Sequence, residues 1–144
     1  MTERALVDTG VLYGAFQRRD QYHETGLAVV RDADAGRLPE LLVLDFVLAE
    51  TMNALTQQLA AEDTREALAM VETSSGFEIT RTTGAVWAGG LATYKQLDRL
   101  SFVDALLVAA ARERDREFLY SFDSGFDGVG GVTRLNTNVD PRTR

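Results

Sequence analysis

Residues 100–123 read LSFVDALLVAAARERDREFLYSFD, and their pattern decides the fold. Between 102 and 111 the only charge is Asp104, so a helix opened by Ser101 and running to about 114 is apolar almost all round and belongs in a buried layer. The charged run RERDRE breaks it. Segment 117–122 is then strand-like, rich in aromatic side chains, and stops at Asp123.

The same alternation extends in both directions. Toward the N-terminus, the apolar strand 5–7 ends at Asp8 and feeds a helix that begins in VLYGAFQRR. A second helix covers 22–35 and ends near Gly36 and Pro39, and a strand at 41–44 leads to Asp45, a good N-cap for a helix over 46–59. On that helix Leu48, Met52, Leu55 and Leu59 recur at helical spacing, while Glu50, Asn53 and Gln57 share a polar face. A helix at 62–72, a strand at 77–81 and a weaker helix at 85–97, interrupted by Gly89 and Gly90, follow. Toward the C-terminus a last strand is expected at 131–135, and the polar tail 137–144 is expected to fray. Strands separated by helices along the whole chain pair in parallel through right-handed crossovers. The expectation is one domain, 1–144, folded as a three-layer α/β/α sandwich around a central, mainly parallel sheet. Ligands in such sheets bind beyond the carboxyl ends of the strands, where Asp8 and Asp123 both fall.

Composition narrows the chemistry. The 144 residues include 45% hydrophobic residues, enough for one sizeable core, but no cysteine and one histidine. Thiol nucleophiles, disulfides and His- or Cys-rich zinc sites are thereby excluded, and any metal must be held by oxygen. No apolar run reaches the roughly 20 residues that span a bilayer, and the N-terminus lacks a secretory pattern, so the expected location is cytoplasmic, with no membrane partner. The net charge is −7, with 22 acids against 15 bases, of which Lys95 alone is a lysine. Broad electrostatic capture of nucleic acid is therefore not expected, although carboxylates covered by divalent cations reverse the local field.

Each candidate residue has a structural reading beside a chemical one. Asp8 either caps the helix that follows it or serves as a site carboxylate; its Asp-Thr-Gly context resembles an aspartic protease motif, but those enzymes are built of short strands and pair two such motifs. Asp104 stands alone in an apolar helix, where burial without a partner costs several kcal/mol, yet Ser101 and Asp104 also match a capping box. Asp123 and Asp127 each suit a turn. Glu50 is a single acid on a polar helix face, and His23 reads as a surface or boundary histidine. Arg112, Arg114 and Arg116 read as a solvated helix end. Gly125, Gly128, Gly130 and Gly131 are not followed by a helix, as a phosphate loop would be.

Taken in order, these segments resemble the PIN-domain family, and specifically its VapC-type toxins. LVDTGVLYGAF (6–16) is similar to the family's opening strand and helix with the first acid at Asp8, and DQYHETGLAVV (20–30) to the next helix, in which a histidine is common. LAETMNAL (48–55) resembles the segment carrying the second acid, Glu50. LSFVDALLVAAARERD (100–115) and FLYSFDSGFDGVGGVTRL (118–135) are the most specific likenesses, with acids at Asp104 and Asp123 and a hydroxyl at Ser121. Gly10 stands where serine or alanine is frequent, and Asp127 is an extra acid without an assigned role. The resemblance implies Mg²⁺ or Mn²⁺ bound by Asp8, Asp104 and Asp123, with Glu50 acting directly or through water and Thr9 and Ser121 as accessory groups. It also implies an endoribonuclease toxin acting on RNA, a cognate antitoxin and a homodimer. A PIN nuclease that matures or degrades RNA without an antitoxin, and a catalytically silent PIN-like binding module, are the alternatives. An Asp-nucleophile phosphotransfer domain would want a lysine near the phosphate, and Lys95 has no setting for one. Carboxylates gathered without a balancing lysine or histidine repel one another unless hard cations lie between them.

Overall fold

The computed structural model describes residues 4–143. Five strands, β1 (Arg4–Val7), β2 (Glu40–Leu44), β3 (Phe77–Thr80), β4 (Phe118–Tyr120) and β5 (Thr133–Leu135), form one sheet in the order β3-β2-β1-β4-β5. Every adjacent pair is parallel. A parallel partner cannot be reached by a hairpin, so helices carry the chain back between strands. Helices α1 (Thr9–Phe16) and α2 (His23–Asp34) join β1 to β2, α3 (Asp45–Gln58) and α4 (Ala61–Thr73) join β2 to β3, and α5 (Gly84–Gln96) and α6 (Phe102–Glu113) join β3 to β4. The first two crossovers move along the sheet in one direction and the third returns in the other. Right-handed connection therefore puts α1–α4 on one face and α5–α6 on the opposite face. The packing agrees: α1 lies on α2 and α3, and α5 lies on α6. The three-layer parallel sandwich expected from the pattern is the fold observed.

Central β1 shows why its sequence is a continuous apolar run: Ala5, Leu6 and Val7 are fully buried between both helical layers. In α6 all of 105–111 is buried, which accounts for the absence of charge there. Gly90, which weakens the helical signal of α5, lies where a Cβ would come within 2.4 Å of the Leu106 side chain. Glycine lets the two helices approach.

The structure departs from the sequence reading at several ends. Leu44 is the N-cap of α3, and Asp45 is already helical. Its carboxylate accepts from the Phe46 amide and reaches across to the Thr82 amide and hydroxyl, tying α3 to the link before α5. β4 is three residues long, shorter than expected at both ends, although the Ser121 amide still donates to the Leu135 carbonyl, and β5 starts only at Thr133, after the left-handed Gly131 (φ 88°). The described part of the polar tail makes contacts with the body of the fold. Asn138 donates to Asp32 Oδ2 (2.7 Å), the Tyr120 hydroxyl donates to the Val139 carbonyl (2.7 Å), and a 3-10 turn, Pro141–Thr143, follows. A buried tyrosine needs a partner for its hydroxyl, and here the tail supplies one.

The contact of α1 with α2 is the tightest backbone approach near the site. A Cβ at Gly26 would lie 2.7 Å from the Val11 carbonyl oxygen and 2.9 Å from the Ala15 nitrogen, neither of which can swing aside. Gly26→Ala is expected to lower unfolding stability by about 2 kcal/mol through overpacking, in spite of the higher helix propensity of alanine. Urea unfolding followed by circular dichroism measures this; an unchanged or raised midpoint would refute the close-approach argument.

Candidate active site

β1 leads toward one edge of the sheet and β4 toward the other, so the crevice at their carboxyl ends is the topological switch point. Asp8 follows β1 directly and Asp123 lies three residues past β4. Asp104 comes to the same place from the first turn of α6.

Asp8 is 8% exposed. Its Oδ1 accepts from the Thr9 amide at 2.8 Å and caps α1, and its Oδ2 accepts from the Ser121 hydroxyl at 2.8 Å. Ser121 is fully buried, and its oxygen in turn accepts from the Asp123 amide at 3.0 Å. One hydroxyl thus links the ends of the two central strands. Asp123 Oδ1 accepts from the Gly125 amide at 2.8 Å, holding the 3-10 turn Ser124–Phe126. Asp104 receives its backbone cap from Ser101, whose Oγ accepts from the Asp104 amide at 3.1 Å. The capping and turn readings of these aspartates are therefore correct, and they coexist with a shared site. A carboxylate has about four lone-pair positions, and the caps use a minority of them.

Electrostatics bind the three acids into one system. Burial raises the Asp8 pKa to about 6; the bonds from Ser121 and Thr9 oppose the shift, and the charges of Asp104 and Asp123 add to it. Burial also raises Asp104; hydrogen bonding with Ser101 opposes the shift and the charge of Asp123 adds to it. Glu50 is not among the main influences on either; it is exposed on α3. Among the described residues, no group of three or more His, Asp or Glu side chains is closed tightly enough to form a ready-made metal cage. The structure therefore couples Asp8, Asp104 and Asp123 electrostatically without closing them into a cage.

The donor set nonetheless suits a hard divalent cation. All its members are oxygens, neither lysine nor histidine balances the three carboxylates, and the Thr9 hydroxyl beside Asp8 is buried without a hydrogen-bond partner. His23 is engaged elsewhere: its Nδ1–H donates to the Gly14 carbonyl at 2.8 Å and joins α2 to α1. A groove of about 650 Å³ also lies elsewhere, lined by Phe16, Arg18, Leu59, Glu66 and Met70 among others. Asp8 is nearly buried, Asp104 half-buried and Asp123 exposed, so the three acids run from the interior to the surface.

Three features escaped the sequence reading. Arg134 forks onto Asp127 with bonds of 2.8 and 3.0 Å. Phe122 stacks on Tyr22, with ring centroids 4.5 Å apart. Arg112, expected to be a solvated helix end, donates from Nε to the Gly130 carbonyl at 2.9 Å. Arg134 left one legible trace, as the only charge in β5.

A PIN domain family model matches residues 5–132. A VapC ribonuclease of Archaeoglobus fulgidus is 31% identical over 126 residues, covering 85% of this chain and 78% of that protein. The fold is shared with VapC20 of Mycobacterium tuberculosis, described as a sarcin-ricin loop cleaving toxin (TM-score 0.74, 24% identity, 95% of this chain and 99% of that one). It is shared too with a chain of VapBC2 from Rickettsia felis, bound to a DNA fragment from its promoter (TM-score 0.71, 12% identity, 92% and 97% covered).

Because Asp8 ionises near pH 6 in the folded chain and near 3.8 otherwise, its ionisation opposes folding. Its contribution is most favourable below pH 3.8 and is lost as pH rises through 6, a loss on the order of 3 kcal/mol. Asp8→Asn keeps an acceptor for Ser121 and removes the charge. In chelator, the variant should melt several degrees higher than the parent at pH 7.5, and the gap should shrink by more than half at pH 4.5. Equal melting at pH 7.5 would contradict the burial-driven shift.

Proposed function

Since the chain belongs to the PIN domain family and is a VapC-type ribonuclease, we propose that it is the toxin of a toxin–antitoxin pair and cuts RNA with divalent cations held among Asp8, Asp104 and Asp123. The observation that carries this reading is the Ser121 hydroxyl bond to Asp8, which sets two strand-end carboxylates beside a third with no lysine or histidine to neutralise them, the nearby Arg134 being already forked onto Asp127. Mg²⁺ or Mn²⁺ bound there supplies the charge that makes a water nucleophilic at neutral pH and offsets charge on the leaving oxygen. The protein's own work is placement. Asp8 and Asp123 are fixed by caps and by Ser121, Asp104 by the start of α6, and the free Thr9 hydroxyl is available to a ligand water or a phosphate oxygen. Glu50 contributes from outside the trio, through water. Single-stranded or loop RNA fits this open acidic crevice better than regular duplex does, because its phosphates can bend toward the cations.

Antitoxin complexes among the proteins of this fold, such as one from Klebsiella pneumoniae, support a cognate antitoxin here, one whose peptide covers the acidic crevice. A homodimer and a cytoplasmic location, where RNA is met, complete the reading. Among the described residues no helix is long and apolar enough to cross a membrane.

The test is cleavage of a defined panel of structured RNAs by purified protein in Mg²⁺, Mn²⁺ or chelator. Cutting should require metal and fall at least about a hundredfold in Asp8→Asn and in Asp104→Asn. Glu50→Gln, acting at one remove, should lose about tenfold. Metal-independent cutting, or variants as active as the parent, would overturn the carboxylate mechanism.

A further inference from the structure

The connection from β4 to β5 carries Asp123 and is otherwise irregular, with left-handed glycines at Gly128 (φ 78°) and Gly131 (φ 88°). Its backbone is held by local turn bonds alone, among them Asp127 amide to Ser124 carbonyl and Val129 amide to Phe126 carbonyl, so its attachment to the rest of the fold falls to side chains. Phe126 and Val129 are buried beneath it, and three arginines bind it from outside. Arg99 donates to the Asp127 carbonyl at 3.0 Å, Arg112 to the Gly130 carbonyl, and Arg134 to the Asp127 carboxylate. Arg134 differs from the other two in also reaching the site. Its Nε and Nη2 fork onto Asp127, while Nη1 makes a longer bond, 3.4 Å, to the Ser121 carbonyl. Ser121 is the residue whose hydroxyl holds both the Asp8 carboxylate and the Asp123 amide. The Arg134 side chain is only 16% exposed, against 57% for Asp127.

We infer that the Asp127–Arg134 pair is a positioning device for the acidic site. By clamping the loop at Asp127 and the Ser121 carbonyl together, it fixes segment 121–123 and, through it, the mutual placement of the Asp8 and Asp123 carboxylates. The geometry requires the fork. A planar guanidinium can engage both carboxylate oxygens and still direct a third nitrogen at Ser121, which a lysine ammonium cannot do. Asp127 thereby acquires a role distinct from that of the metal-binding acids: it orients Arg134 and neutralises its charge beside a site that must attract cations. The inference rests on the cation-binding reading proposed above.

Positioning and simple charge make opposite predictions. If Arg134 acted only through its field, Arg134→Gln would tighten divalent binding and Asp127→Asn, which leaves the arginine uncompensated, would weaken it. As a positioning pair, both variants should weaken Mn²⁺ binding by about tenfold, and the double variant should be no worse than either single one. Arg134→Lys, which keeps the charge but not the fork, should fall with them. Because the Asp127 carboxylate is largely exposed, the pair contributes little to global stability, so the melting temperatures in chelator should stay within a few degrees of the parent. Titration of the full chain with Mn²⁺ alone, followed by calorimetry, reads the binding. Amide hydrogen exchange at Asp123 and Gly125 in chelator reads the segment directly, and should quicken in every variant. Opposite signs for the two single variants, additive losses, unchanged Mn²⁺ binding, or unchanged exchange at Asp123 would each overturn the inference. Failure of the parent itself to bind Mn²⁺ would instead reject the cation site, and the exchange measurement would still decide whether the pair positions the segment.

Discussion

The hydroxyl of Ser121, buried and shared between the Asp8 carboxylate and the Asp123 amide, is the contact on which the site depends. Without it the ends of β1 and β4 are joined only by backbone ladder bonds, which set the strands and not the acids beyond them. The bond also opposes the burial that raises the Asp8 pKa. A carboxylate that stays within reach of ionisation while nearly buried is what a cation site needs, since a permanently protonated acid would be a poor ligand and a solvated one a weakly positioned ligand.

Everything around that contact exists to keep three like charges near one another. Parallel pairing brings β1 and β4 side by side, and the reversal of direction between them opens the crevice. α6 enters from the opposite face with a charge-free buried body, so its single acid is carried in by packing rather than by attraction. The helix start at Ser101 and the turn at Asp123 then orient what packing delivers. Stability is supplied by the apolar layers and is locally reduced at the site, a common arrangement where binding a ligand is to relieve the strain.

Much of this was legible from residue pattern. The element order, the parallel sandwich and the meeting of Asp8 with Asp123 follow from apolar periodicity, from where each acid falls relative to it, and from the rule for ligands in parallel sheets, while the place of Asp104 beside them came from the family resemblance. Capping motifs seemed to compete with function at Asp8 and Asp104, but a cap consumes backbone donors and leaves carboxylate lone pairs free, so the choice was a false one. What pattern did not reveal depends on contacts between distant segments. Asp127 read as a turn residue because its partner, Arg134, is on the next strand. Arg112 read as solvated because the glycine carbonyl it holds belongs to a loop, and loops carry no periodicity. The tail from Asn138 onward looked free for the same reason: its anchors, Asp32 and Tyr120, are remote in sequence. Glu50 was picked by likeness; it lies exposed on α3, where one acid on a polar helix face carries no signal of its own.

Whether Asp8, Asp104 and Asp123 surround a divalent cation can be read from anomalous diffraction of crystals soaked in Mn²⁺. An anomalous peak is expected at ligating distance from all three, absent from Asp8→Asn crystals treated alike. A peak held by other residues, or none at concentrations that support RNA cleavage, would contradict the proposed site.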